Sequence, residues 1–244
     1  MKMNLALELY SIRDETKKDF FGALEKVAEY GFTGVEFAGY GDIKAEDMKA
    51  KLDSLGLVTV SVHHGLKDLE ANLDEIIAYN KVLGNKNINC AGAGPFDSWE
   101  HVNEYAVKLD KIADILAENG MKIYYHNHAH EFVKFEQDGG RYSYDVMMEK
   151  LAGKVGNQFD IYWLYRAGVD AIEYLDKYKD SIELVHIKDG DETTGLPAGT
   201  GKVEIKKIAE HAQKLGVEWF ILEDETVGDQ FGAVKTGIDN IMAL

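Results

Sequence analysis

The stretch Tyr125-His126-Asn127-His128-Ala129-His130-Glu131 packs three imidazoles and a carboxylate into one short segment, directly after an apolar run that reads as a β-strand. Three more polar side chains, Asp160, His186 and Glu223, each stand at the tail of a similar run. Carboxylates and imidazoles gathered from separate strands are the donor set of a divalent-metal site. Two or three carboxylates with one imidazole make a mostly oxygen-lined site, which favours Mn2+ or Mg2+ and leaves Co2+, Zn2+ or Fe2+ open. An ion in such a site holds adjacent oxygens of a polyol or hydroxy-ketone and stabilises the charge of an enediolate.

The elements that must position these residues can be read from periodicity. Strand-like runs cover Leu5 to Tyr10, Gly34 to Ala38, Val58 to Val62, Lys86 to Ala91, Lys122 to His126, Val155 to Ile161, Ile182 to Ile187 and Trp219 to Leu222. Segments of helical period separate them. In the longest, Val102, Tyr105, Leu109, Ile112 and Leu116 recur on one face and leave Glu104, Lys108, Lys111 and Glu118 for solvent. Gly31, Gly56, Gly84, Gly120 and Gly216 predict helix C-caps ahead of the next strand. Eight β-α units in 244 residues match an α/β fold of the (β/α)8 TIM-barrel kind, read as a single domain over residues 1–244. An open doubly wound sheet would carry a glycine-rich phosphate turn after its first strand, where Glu8-Leu9-Tyr10-Ser11-Ile12-Arg13 stands instead.

In such a barrel the active site lies at the carboxyl ends of the strands, and the unusual polar residues fall there. Glu36 lies in the second run, His63 and His64 close the third, and His126, His128 and Glu131 come at or after the end of the fifth. Asp160 sits in the sixth run, His186 and Lys188 end the seventh, and Glu223 ends the eighth. The plain alternative for any one imidazole is a hydrogen-bonded residue at a strand boundary, and for Asp160 and Glu223 an ion pair inside the barrel. Recurrence at one end of successive strands favours a joint site, because acids inside apolar runs are costly unless a cation or hydrogen bonds satisfy them. Strand alternation points His64 and His130 away from it, and His101 and His211 read as solvated helix residues.

Composition sets the remaining bounds. With 43 acidic and 27 basic residues the formal charge is −16, which argues against nucleic acid as a partner. An apolar fraction of 45% is enough for a sizeable core. The segment Met1-Lys2-Met3-Asn4-Leu5 shows no export signal, no membrane span is read, and a cytoplasmic protein is expected. Cys90 has no cysteine partner and reads as a small buried strand residue.

The residues as an ordered set resemble the xylose isomerase-like TIM-barrel superfamily, the sugar phosphate isomerases/epimerases, which also includes inosose dehydratase and the D-tagatose and D-psicose 3-epimerases. The resemblance rests on Leu9-Tyr10-Ser11-Ile12-Arg13-Asp14, Gly31 to Gly39, Tyr125-His126-Asn127-His128 with Glu131-Phe132, Asp160-Ile161-Tyr162-Trp163, His186-Ile187-Lys188-Asp189, Gly199-Thr200-Gly201 and Leu222-Glu223. It implies a metal held by a carboxylate after strand five, an Asp on strand six, a His on strand seven and a Glu on strand eight. The last three map to Asp160, His186 and Glu223. At the strand-five position this chain has His126 where epimerases have a Glu. Glu131 is the expected ligand there, with His126 the competing choice. Trp163 stands where many relatives carry a histidine, which points to the branch with the H-N-H-x-x-E-F pattern.

The expected chemistry is removal of a proton next to a carbonyl of a sugar or keto-polyol and its return elsewhere, giving an isomer or epimer. His126 or His128 serves as general base or acid, Glu223 combines ligation with proton transfer, and Lys188 pairs with an oxyanion or with a neighbouring carboxylate. Glu36 and His63 face the substrate, and Trp163 with Tyr162, Phe37 and Tyr10 forms an apolar platform for the sugar. Arg13 and Arg166 are the cations available for a phosphate. The alternative keeps the metal and makes the enzyme a lyase or dehydratase acting on a keto-sugar or 3-keto-glycoside. Nuclease chemistry is disfavoured by charge, a degenerate sugar-binding protein is disfavoured by the intact ligands, and a homodimer is a form the resemblance allows.

Overall fold

The computed structural model describes residues 3–244; Met1 and Lys2, the start of the segment read for an export signal, lie outside the described residues. The strands are β1 (Asn4–Glu8), β2 (Gly34–Phe37), β3 (Val58–His64), β4 (Asn87–Cys90), β5 (Lys122–His126), β6 (Val155–Asp160), β7 (Ile182–Ile187), a short pair β8 (Asp189–Gly190) and β9 (Gly195–Leu196), and β10 (Trp219–Leu222). All but the short pair close into one parallel barrel in the order β1-β10-β7-β6-β5-β4-β3-β2, so the expected TIM barrel is the fold. Strand bounds agree with the periodicity to within two residues, with β1 among the larger changes, since Leu9–Ile12 coils into a 3-10 turn. No helix among the described residues is long and apolar enough to cross a membrane.

Between strands run α1 (Arg13–Lys18), α2 (Phe20–Glu29), α3 (Ala45–Leu55), α4 (Leu66–Leu83), α5 (Trp99–Glu118), α6 (Ser143–Lys150), α7 (Ile161–Arg166), α8 (Ala171–Lys177), α9 (Ile205–Lys214) and α10 (Gln230–Met242). Helix α5 starts where the Ser98 hydroxyl accepts from His101 N, and it buries Val102, Tyr105, Leu109, Ile112 and Leu116, the stripe its spacing predicts. Gly56 and Gly84 end α3 and α4 at φ of 68° and 74°, conformations that cost any residue with a Cβ. Each turns the chain sharply into its next strand, with Leu57 N and Asn85 N bonding back to Leu52 O and Asn80 O at 3.0 Å.

Inside the barrel the chemistry changes with height. Ala6, Val60, Tyr124, Leu184 and Ile221 form an apolar plug at the amino ends of the strands, with Trp219 packed on it. Above the plug the inward side chains turn polar: Glu8, Glu36, Ser61, Asn89, Gln158 and His186 are all buried. Two register shifts set this switch, one between Val35 and Glu36 against β3 and one between Asn157 and Gln158 against β7. A bulge breaks simple alternation and re-aims the side chains beyond it. At β3 it lets Val60 join the plug while the next residue, Ser61, still reaches Glu36.

The helix face makes a direct stability test. Leu109→Ala, on the buried stripe of α5, should cost about 2–5 kcal/mol through lost burial and a cavity. Val107→Ala, on the exposed face of the same helix, should stay within about 0.5 kcal/mol. Urea unfolding midpoints of the two variants read the difference.

Candidate metal centre and cavity

Four strand ends bring His126, Asp160, His186 and Glu223 together, each offering one donor atom within 4.8 Å of the others, and all four are buried. Register explains the meeting. Asp160 pairs with His186 across β6 and β7, His126 is opposite Gln158 across β5 and β6, and Glu223 N bonds Ile187 O just past β10.

Asp160 caps α7, its Oδ1 accepting from Tyr162 N at 2.9 Å and Trp163 N at 3.0 Å. Its backbone is tied to the end of β5 by the Asn127 side chain, which accepts from Asp160 N at 3.0 Å. The other carboxylate oxygen, Oδ2, is buried without a hydrogen-bond partner. Burial pushes the Asp160 carboxyl up to about 6 despite the nearby Lys188 charge. A buried carboxylate oxygen without a donor is costly, and a cation among these four groups relieves that cost. The donor set therefore fits a divalent ion.

His186 is held at both nitrogens: Nδ1 faces Glu223 Oε2 at 2.7 Å and Nε2 faces Glu36 Oε2 at 2.5 Å. Burial alone would lower its pKa, but the charge of Glu36 and the hydrogen bonds to Glu223 and Glu36 raise it to about 9. The other oxygen of Glu223 accepts from Lys188 Nζ at 2.9 Å, and Lys188 also reaches Glu225 at 3.0 Å. Burial works against both charges in this pair. Lys188 nevertheless keeps Glu223 well below the usual carboxylate range, and Glu223, Asp160 and Glu225 hold the Lys188 ammonium firmly protonated.

Glu36 organises the layer beneath. Its Oε1 accepts from Ser61 Oγ and, at 2.6 Å each, from Asn89 Nδ2 and Gln158 Nε2. Since Gln158 spends its amide N–H on Glu36, its Oε1 is left to accept from His126 Nδ1 at 3.0 Å and from His63 Nε2 at 2.8 Å. That places the His126 proton on Nδ1 and leaves Nε2 as a lone pair. Burial, then the charges of His186 and His63, hold His126 well below the usual histidine range, so it is a neutral donor.

Above the cluster opens a cavity of about 300 Å3 whose wall includes Glu8, His63, His126, His128, Glu223 and Glu225. Glu131 is not part of the four-residue group. Its buried carboxylate accepts from His128 N at 2.7 Å and Tyr125 OH at 3.3 Å, which turns it outward and anchors the segment carrying His128. Glu36, expected to face the substrate, is fully buried and spent on its donors, so it underlies the site and is not among the residues lining the cavity. Phe37 and Tyr162 likewise pack in the core, leaving Tyr10 on the cavity wall. Trp163 is half-buried, with Lys188 Nζ 4.7 Å from its ring centre and the His128 ring 5.5 Å away. Arg166 is exposed and bonded to Tyr162 OH at 2.9 Å, and Arg13 lies over the Tyr10 ring.

Two other imidazoles expected elsewhere behave differently: His64 sits on the cavity rim with Nδ1 bonded to Asp68 Oδ2 at 2.5 Å, while His130 is exposed. Sequence reading passed over Glu8, Ser61, Asn89, Gln158 and Asn127. The available signal was strand alternation, which turns Glu8, Asn89 and Gln158 inward in a barrel whose interior otherwise calls for apolar side chains, whereas Ser61 comes inward through the register shift beside Val60. The glycines after β7 have a local reason: the Asp189 carboxylate accepts four backbone N–H groups, from Gly190, Gly199, Gly201 and Val203. A Cβ at Gly201 would run into Asp189 and the Gly190 backbone, and this packing braces the segment beyond Lys188.

Comparison with known proteins agrees with this architecture. An inosose dehydratase of Clostridium botulinum (strain Alaska E43 / Type E3) is 29% identical over 192 residues, covering 70% of this chain and 63% of that protein, less than two thirds of its length. A solved sugar phosphate isomerase/epimerase from Parabacteroides distasonis ATCC 8503 superposes with a TM-score of 0.88 at 23% identity, covering 100% of this chain and 99% of the other. The IOLI protein, solved with a bound zinc atom, superposes with a TM-score of 0.80 at 14% identity over 99% and 97% of the two chains. The family model described as xylose isomerase-like TIM barrel matches residues 24–244, and the chain belongs to that family.

Proposed function

We propose that this protein is a metal-dependent lyase that removes water from a polyhydroxylated ketone, with His126, Asp160, His186 and Glu223 as the ligands and His128 as the base. The observation that carries the choice of reaction is the turn of Glu131 away from the cluster. Epimerisation of a ketone held through its oxygens returns the proton to the same carbon from the opposite face, a task suited to two opposed carboxylates at the ion; with an imidazole at the end of β5, Glu223 has no such carboxylate opposite it in the four-residue group, while Glu8 and Glu225 stand elsewhere on the cavity wall. Elimination needs one base near the ion and a separate acid, which this cavity can supply. The relative named inosose dehydratase supports the same reading. The isomerase/epimerase reading shares the first half of the reaction and is supported by the name of the Parabacteroides neighbour.

His126, Asp160, His186 and Glu223 would hold the divalent ion, which would supply Lewis-acid polarisation of the substrate carbonyl and stabilise negative charge on its oxygen. With two imidazoles and two carboxylates, the ligand set is softer than the mostly oxygen set expected from sequence. It suits Zn2+, Mn2+, Co2+ or Fe2+ better than Mg2+. Glu36 on the far nitrogen of His186 and Gln158 on that of His126 fix both rings, as partners of metal-bound histidines do. His128 lines the cavity, and its buried Nδ1 lies 3.6 Å from Glu131 Oε1, which leaves Nε2 as the nitrogen to serve in proton transfer. Lys188 adds positive charge beside Glu223, and the Trp163 face shields that corner from water.

Three outcomes are expected. Asp160→Asn should lose most bound Zn2+ or Mn2+ by elemental analysis while Glu131→Gln keeps it; the reverse pattern would return the ligand role to Glu131. Ion uptake should also release protons. With His186 near 9 it is protonated at neutral pH and must give up a proton to ligate, and with Asp160 near 6 uptake weakens as pH falls through that value because the carboxyl becomes protonated. Calorimetry in buffers of different ionisation enthalpy measures this release, and a value of zero would contradict the assignment. Finally, incubation with an inosose or a 3-keto-glucoside should give a product lighter by one water, and His128→Asn should slow its formation about 100-fold or more with the ion retained. A product of unchanged mass would establish isomerisation instead.

A further inference from the structure

Glu8 lies outside the four-residue group proposed to hold the ion; it stands with Glu36 and His63 in a second cluster whose donor atoms lie within 4.8 Å of one another. It is 1% exposed, it lines the cavity, and neither of its carboxyl oxygens accepts a hydrogen bond from a donor among the described residues. The nearest imidazole nitrogen in an ion-pair arrangement, His63 Nδ1, stands 3.9 Å away, beyond hydrogen-bond reach. A charged carboxylate in that position would be costly. Burial, then the negative charges of Glu36 and Glu223, push its pKa well above the ordinary range, and a hydrogen bond to the neighbouring Glu36 carboxylate favours the same protonated form, so the pair of acids holds a proton at the cavity wall.

Topology places this acid where an elimination needs one. In the ring β1-β10-β7-β6-β5-β4-β3-β2, β1 and β5 stand four places apart in either direction. Glu8 at the end of β1 therefore faces, across the cavity, the segment after β5 that carries His128. Loss of water from a β-hydroxy ketone removes a proton from one carbon and hydroxide from the next, so a base and an acid must reach adjacent atoms of one bound molecule.

We propose that Glu8 is the catalytic acid that protonates the departing β-hydroxyl, an assignment that rests on the lyase reading and deepens it. His128 takes the proton from the carbon beside the ketone, and the C–H electron pair is held as the enolate. That pair then forms the carbon–carbon double bond as the C–O bond breaks, and the leaving oxygen takes the Glu8 proton and departs as water. Glu8 ends as a carboxylate and His128 as an imidazolium. Proton exchange through solvent resets both, so the net change is keto-polyol to unsaturated ketone plus water.

The test uses the full-length, ion-loaded protein with an inosose and a 3-keto-glucoside as probes. Glu8→Gln keeps the size and polarity of the side chain but has no acidic proton. It should retain its ion and still exchange the proton beside the ketone with deuterium from D2O, while water loss falls about 100-fold or more. Replacing the β-hydroxyl of the probe by fluorine, which needs less help to leave, should restore elimination in Glu8→Gln. Dehydration by Glu8→Gln at the wild-type rate, or loss of deuterium exchange together with dehydration, would overturn the assignment. A wild-type protein that exchanges no proton in either probe would contradict the lyase reading itself and remove this assignment with it.

Discussion

Negative charge buried inside a closed barrel is the constraint on which this structure turns. Glu8, Glu36, Asp160 and Glu223 all lie within the interior and none is more than 7% exposed. A carboxylate taken out of water must find donors, a cation or a proton. Each of the four meets that demand differently. Glu36 gathers Ser61, Asn89 and Gln158 on one oxygen and His63 with His186 at the other, and although burial opposes its charge these two histidines hold it well below the usual carboxylate range. Glu223 takes Lys188 and His186, Asp160 leaves one oxygen unpartnered, and at Glu8 burial and the charges of Glu36 and Glu223 favour the protonated form. On the proposed reading, these four solutions to one electrostatic problem make a structural anchor of Glu36, ligands of Asp160 and Glu223, and an acid of Glu8.

The site is also ordered from below. Beside the two register shifts, whose extra residues are Val60 on β3 and Glu183 on β7, Glu36 and Gln158 meet in a shared hydrogen bond. That bond sets the orientation of the Gln158 amide, the tautomer of His126 and the hold on His186. Asn127 and Glu131 act sideways, the first clasping the Asp160 backbone and the second the backbone of His128. A polar network paired in this manner is rigid, and rigidity is what a ligand set must have before an ion arrives.

Much of this architecture is legible in the chain, and the parts that are not have a common cause. The barrel, the amphipathic stripe of α5 and the glycine caps stem from local periodicity, which depends only on neighbours in sequence. Asp160, His186 and Glu223 stand out because charged groups are rare inside apolar runs. The position of Glu131 could not be read from its type: three residues beyond His128, it lies where the chain turns, and the turn is closed by its own carboxylate accepting the His128 N–H. Gln158, Asn89 and Ser61 are neutral and small in signal, and their importance depends on a carboxylate donated by a strand distant in sequence. Phe37 and Tyr162 show the same limit in reverse, since aromatic residues at strand ends suit a sugar platform and a core equally well, and only the packing decides.

Everything proposed for the chemistry requires one divalent ion gripped by the ends of β5, β6, β7 and β10. Anomalous diffraction from crystals grown with Zn2+ and recorded on both sides of its absorption edge locates such an ion directly. The expected peak lies about 2.0–2.2 Å from a nitrogen or oxygen of each of His126, Asp160, His186 and Glu223. A peak bound to Glu131 in place of His126, or no peak among these four side chains, would contradict the ligand set.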